Sequence, residues 1–304
     1  MAATPRPTTF DAQLQLTVTA RKIKQMEAVL AAITTRRRHN ESVAGIFSFL
    51  FRQFGALWTI VAATPAVLPT NVFAADEAAL KAYADGAYAD VVARADIVEN
   101  PDTYALAARA LNAVAYFEPD RREARGAAQK AQDYAEKALT LDSAHVEAHL
   151  QAAIAIALRG AVSAPASAFF NNLPARARDH VDHALWLDPE NPWALSTSAA
   201  WNLEVYRRGG GMLYGAKPEK GYQEFLKARA LAPENVAVAY EGALRVLASR
   251  REEWRAAALK ALGDAVAKAP TSMFEQRIQD RARALQSAVE AGAQSERDFI
   301  KAQR

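Results

Sequence analysis

The chain has no cysteine. Disulfides, thiolate metal sites, thiol nucleophiles and cysteine-linked lipids are therefore excluded. Glycine and proline are scarce, 13 of each in 304 residues, too few for a collagenous or low-complexity chain. Neither sign of charge dominates: 37 Lys and Arg stand against 34 Asp and Glu. No Gly-x-Ser-x-Gly elbow and no His-Glu-x-x-His occurs, so no catalytic arrangement is expected. A phosphate loop of the Gly-x-x-x-x-Gly-Lys-Ser/Thr kind is also missing. So is the interleaving of basic and aromatic residues that marks a nucleic-acid binder. No cofactor is expected. What remains is 51% apolar and 23% charged, which is a globular composition. Alanine dominates it, with 71 residues.

Composition shifts near Ala75. Phe54 to Leu68 is free of charge but 15 residues long, shorter than the ~20 a spanning helix needs. Arg52 precedes this run, and Val72-Phe73-Ala74 places small residues at the first and third positions before Ala75. That order reads as an export signal over residues 50–74, cleaved after Ala74, with residues 1–49 an extension upstream of the working start. Export implies a periplasmic location, with membrane contact only through an uncleaved signal. Charge is divided accordingly. Residues 1–74 hold eight Lys and Arg against three acids, whereas residues 75–304 hold 29 against 31. The basic character of the whole chain, which raises nucleic acid as a partner, thus lies outside the part expected to work.

From Ala75 onward one phrase recurs. Ala138-Leu139-Thr140-Leu141-Asp142-Ser143 is followed by Ala184-Leu185-Trp186-Leu187-Asp188-Pro189-Glu190-Asn191. Next comes Ala228-Arg229-Ala230-Leu231-Ala232-Pro233-Glu234-Asn235, and weaker copies end at Pro101 and Pro270. Seven residues before each opening Ala stands another small residue: Ala131, Ala177, Gly221 and Ala258. Seven residues are nearly two helical turns, so the two small positions share a face on which a neighbouring helix can come close. After each stop an apolar helical spacing resumes, as in Val146, Leu150, Ile154 and Leu158, or Val236, Tyr240, Ala243 and Leu247. Each unit therefore reads as two antiparallel helices. Extra residues fall between the two helices at 160–174 and 209–218.

The paired small positions and the Ala-Leu-x-Leu-Asp-Pro-Glu-Asn helix ending resemble the tetratricopeptide repeat (TPR) family over about residues 75–272. Tyr83, Gly86 and Tyr88 resemble that family's inter-helix turn. The resemblance implies an all-α, TPR-like α-solenoid of four to five antiparallel helix pairs, with a concave groove for a protein or peptide. Residues 273–304, with Arg277, Asp280, Arg281 and Arg283 beside Ile278 and Leu285, read as a polar-faced capping helix and tail.

Three sets of residues invite a site. His145 and His149 lie four apart, and His180 and His183 three apart, so each pair shares a helix face. Neutral imidazoles suit zinc or copper. Arg207-Arg208-Gly209-Gly210-Gly211 could form an anion-binding nest or a plain helix end. Trp186, Trp193, Trp201, Tyr206, Tyr214, Tyr222 and Phe225 gather around it. Of these, Trp193, Trp201, Tyr206, Tyr214 and Tyr222, with Arg207 and Arg208, are the expected anchors for a partner segment. The sequence thus points to a non-enzymatic scaffold or adaptor of the bacterial cell envelope. The alternative is a periplasmic small-ligand or metal-binding accessory protein.

Overall fold

The computed structural model describes residues 75–303. The regular structure among them is entirely helical, as the spacing predicts. The expectations for residues 1–74 (the extension, the export signal and its cleavage) lie outside the described residues. No helix among the described residues is long and apolar enough to cross a membrane.

The helices come in hairpins. The first two hairpins are α1 (Glu77–Ala84) with α2 (Tyr88–Val98), and α3 (Pro101–Phe117) with α4 (Arg121–Leu141). The third pairs α5 (Val146–Val162) with α7 (Leu173–Leu187), and the short α6 (Pro165–Phe170) sits at their junction. The fourth pairs α8 (Pro192–Arg207) with α10 (Pro218–Leu231), joined through α9 (Gly211–Tyr214). The last two are α11 (Val236–Ala248) with α12 (Glu252–Ala267), and α13 (Met273–Glu290) with α14 (Ala293–Ala302). So the extra residues between paired helices fold as two short helices.

The helix starts follow from local chemistry. Asn100 Oδ1 accepts from Thr103 N at 2.7 Å, and Asn191 Oδ1 accepts from Trp193 N and Ala194 N at 3.1 and 3.0 Å. Asn235 Oδ1 accepts from Val238 N at 2.8 Å. A side-chain oxygen placed this way satisfies amides that the first turn leaves unbonded. Pro101 and Pro192 occupy the first turn, where a missing N–H costs nothing.

The first helix of each hairpin faces inward. These helices touch in series, α1 to α3, α5, α8, α11 and α13, and each second helix also packs on the first helix of the next hairpin. The small positions read from the sequence lie in these contacts: Ala131, Ala138, Ala177, Ala184, Ala228, Ala258 and Ala265 are all buried. Gly221 shows why. A Cβ there would stand 3.0 Å from Ala199 O and 2.9 Å from Asn202 Cβ, so α10 lies directly on α8.

The end of the chain departs from a capping helix. Residues 273–302 form two helices divided at Gly292. α13 buries Ile278, Ala282 and Leu285 in the largest core cluster, beside α11 and α12. It also returns to the start of the array. The Phe274 ring is 5.6 Å from Phe117 and 6.3 Å from Tyr116, and α13 touches α1. The inner helices thus close on themselves.

Gly242 on α11 marks the tightest helix approach. A Cβ there would fall 2.1 Å from the Phe225 ring, which is itself buried. Gly242→Ala is expected to cost about 2 kcal/mol by overpacking. In a thermal melt, Phe225→Leu should recover most of that loss in the double mutant, because the two side chains share one space. Simple additivity of the two substitutions would contradict this packing.

Candidate functional site

Isolated charges in otherwise apolar inner helices build the centre of the molecule. On α3, Arg109 is the sole charge after Asp102. Its guanidinium lies 5.2 Å from the Tyr83 ring of α1 and 5.3 Å from the Trp193 ring of α8. Arg109 Nη1 is 3.8 Å from Glu147 Oε1 on α5. Four helices therefore meet on one cation held between two aromatic rings. Burial pushes the Tyr83 phenol up to about 12, against the opposing pull of Arg109. Arg109 keeps a third of its side chain in solvent. The niche therefore reaches solvent rather than being sealed.

A second group lies further along α3. Tyr116 donates its hydroxyl to the Glu241 carboxylate of α11, and Arg245 Nη2 donates to Glu241 Oε2 at 3.3 Å. Arg281 of α13 donates to Tyr116 O at 3.4 Å and lies 4.6 Å from the Tyr116 ring. Burial opposes the Arg245 charge, but Glu241 and Glu204 outweigh it and raise its pKa. These contacts tie α3, α11 and α13 together.

The four histidines do not converge as one set. His145 caps α5: its Nδ1 accepts from Ala148 N at 3.1 Å, and its Nε2 faces Asp102 Oδ1 at 3.0 Å. Both ring nitrogens are occupied. His149, His180 and His183 do gather. His149 Nδ1 is 3.1 Å from His180 Nδ1, and the His149 and His183 rings stack at 5.1 Å. His149 Nε2 faces Ser143 O at 3.1 Å, so it carries the proton, and Nδ1 accepts from His180. Burial lowers the pKa of His149 and of His180. Among the described residues no group of three or more His, Cys, Asp or Glu is placed to hold a metal ion.

The expected aromatic anchors scatter as well. Trp201 is buried and donates from Nε1 to Pro174 O at 2.8 Å, under the guanidinium of Arg178. Tyr222 stacks on Trp254 at 4.6 Å. Tyr214 packs beside Leu173 and Trp201. Arg207 and Arg208 both bind Glu204, at 2.6 and 2.5 Å. Gly209 N and Gly210 N donate to Tyr206 O and Val205 O, which leaves those two amides no part in an anion nest. Of the seven, Trp193 reaches the inner niche and Tyr206 stays exposed. Arg109, Tyr83 and Glu147 were not foreseen. The available signal was a lone charge inside an apolar helix, which burial obliges to find a partner.

Glu204 gives a pH test. Burial raises its pKa, but Arg207, Arg245 and Arg208 together bring it down from 4.5 to about 2. A carboxylate lowered on folding stabilises the fold above its ordinary value, and that stability is lost as pH falls toward the folded value. Melting temperature is expected to drop between about pH 4.5 and 2, less steeply in Glu204→Gln. Parallel profiles for the two proteins would exclude this role.

Compared with known proteins, residues 74–290 match the family model described as Regulator of microtubule dynamics protein 1-3. No curated protein matches the chain. The match corrects the tetratricopeptide assignment: it falls on a different family, over the same residues that carried the resemblance. It gives no support to a bacterial source, a signal peptide or a periplasmic setting. The helix-ending phrase misled because it encodes a capped helical hairpin, and a hairpin of that kind is not the property of one family.

Proposed function

The chain belongs to the family of Regulator of microtubule dynamics protein 1-3, and from that premise we propose that residues 75–303 are a non-enzymatic protein-binding module. On this reading the hairpins are a short helical solenoid that receives a partner segment at its inner niche. The observation that carries the reading is Arg109, one-third exposed between the Tyr83 and Trp193 rings with Glu147 at its side. A rigid aromatic pair around a cation is the composition of an interface hot spot. An acidic or aromatic group of the partner would compete with Glu147 for that cation. The family description names microtubule dynamics, which makes polymerised tubulin the first partner to try.

The full chain is tested by co-sedimentation with polymerised tubulin, and in parallel by quantitative capture of partners from cell extract. Arg109→Ala is expected to weaken retention of the true partner about tenfold or more, measured at a temperature at which the variant is still folded. Trp193→Ala should act in the same direction. Equal retention of every partner by wild type and Arg109→Ala would refute binding at this niche.

A further inference from the structure

The two short inserted helices share one end of the molecule. α5 and α8 run in the same direction, each first in its hairpin, so α6 and α9 both follow the ends of inner helices. They are also neighbours, since Ala168 and Tyr214 pack on the same buried group of Ile156, Leu173, Ala177, Trp201 and Ala216. That shared footing uses only one side of each insert. The other side carries large apolar groups into solvent. Phe169 and Phe170 are exposed on α6, Phe170 to 82%, and Met212 and Leu213 are exposed on α9, with Tyr206 beside them. A soluble protein gains nothing from four such side chains on two adjoining tips, and a patch of this kind marks a docking surface.

Cations outnumber acids around the tips. Residues 148–178 contain Arg159 and Arg176 and no acid, besides Arg178, which pairs with Asp182. Residues 204–218 contain Arg207, Arg208 and Lys217 against one acid, Glu204, which pairs with both arginines. Elsewhere residues 75–304 are slightly acidic, so these two stretches stand against the average. Arg176, Arg207, Arg208 and Lys217 are exposed. Exposed aromatic and aliphatic tips ringed by cations match the two layers of an anionic membrane surface: apolar groups enter the acyl boundary, and Arg and Lys meet the headgroups. A protein groove would instead demand a concave patch, and these side chains project.

We propose that the α6 and α9 tips dock this end of the protein on an anionic lipid surface. The docking is peripheral, because no helix among the described residues can cross a bilayer. It is separate from the inner niche and does not depend on what binds there.

The chain has no cysteine, which allows a single reporter to be placed at will. Full-length Met212→Cys is labelled with an environment-sensitive dye and mixed with phosphatidylcholine vesicles, with or without phosphatidylserine. Trp186→Cys is the control, since Trp186 is 79% exposed near the opposite end of α7. The dye at position 212 is expected to shift to the blue on phosphatidylserine vesicles and to be quenched by brominated acyl chains, whereas the dye at 186 is not. Adding Phe170→Asp should lower the apparent affinity of the position-212 response about tenfold. High salt should reverse it. Because the reporter sits on the tip itself, membrane binding through residues 1–74 cannot imitate the result. No shift at 212, equal shifts at 212 and 186, or an equal response to neutral vesicles would each overturn the proposal.

Discussion

An alanine-faced helix gains little apolar area per residue, and that constraint shapes everything else here. Stability must come from bringing backbones close, so that many weak contacts form at once. Gly221 and Gly242 stand where even one methyl group would collide, with Ala199 O in one case and the Phe225 ring in the other. The recurring small residues are therefore the means by which a chain poor in large side chains builds a dense core. Tyr240, Phe225 and Ile278 then fill the few spaces that alanine leaves.

Close packing in series would leave two open ends. The last hairpin removes part of that exposure by returning to the first two. Phe274 meets Phe117, Arg281 reaches Tyr116, and Tyr116 reaches Glu241. The inner polar contacts are individually modest, and burying them is costly unless each finds a partner. Their effect is specificity: α3, α8, α11 and α13 are tied in one register through Glu204, Glu241, Arg245 and Arg281. Arg109 belongs to the same pattern but keeps a third of its side chain in solvent.

The inserts obey a different rule. α6 and α9 contribute little to the core beyond Ala168, Tyr214 and Ala216, so their outer residues are free of packing demands. Phe170 and Met212 can project without destabilising the array. The division of labour is clear in the two ends of α7: its start supports the tips, whereas its other end carries the exposed Trp186.

Much of the architecture was legible in the sequence because it is local. Helix stops and small residues seven apart depend on a few neighbouring positions, and they located hairpins, boundaries and inserts. The family was not legible from them, since a capped hairpin is common physics. Site residues were legible only in part. Trp193 proved to lie on the inner niche, but Trp201 and Tyr222 went to the core, and Arg207 and Arg208 went to Glu204. His149 and His183, from different helices, stack on one another, yet His145 became a helix cap. The sequence by itself determined which segments are helices and which faces they bury, because period and capping are short-range. Only the tertiary structure decided that Arg109, Tyr83, Glu147 and Trp193 share one niche and that α13 closes on α3. Those contacts join residues far apart in the chain, and no periodicity specifies which buried charge will meet which ring.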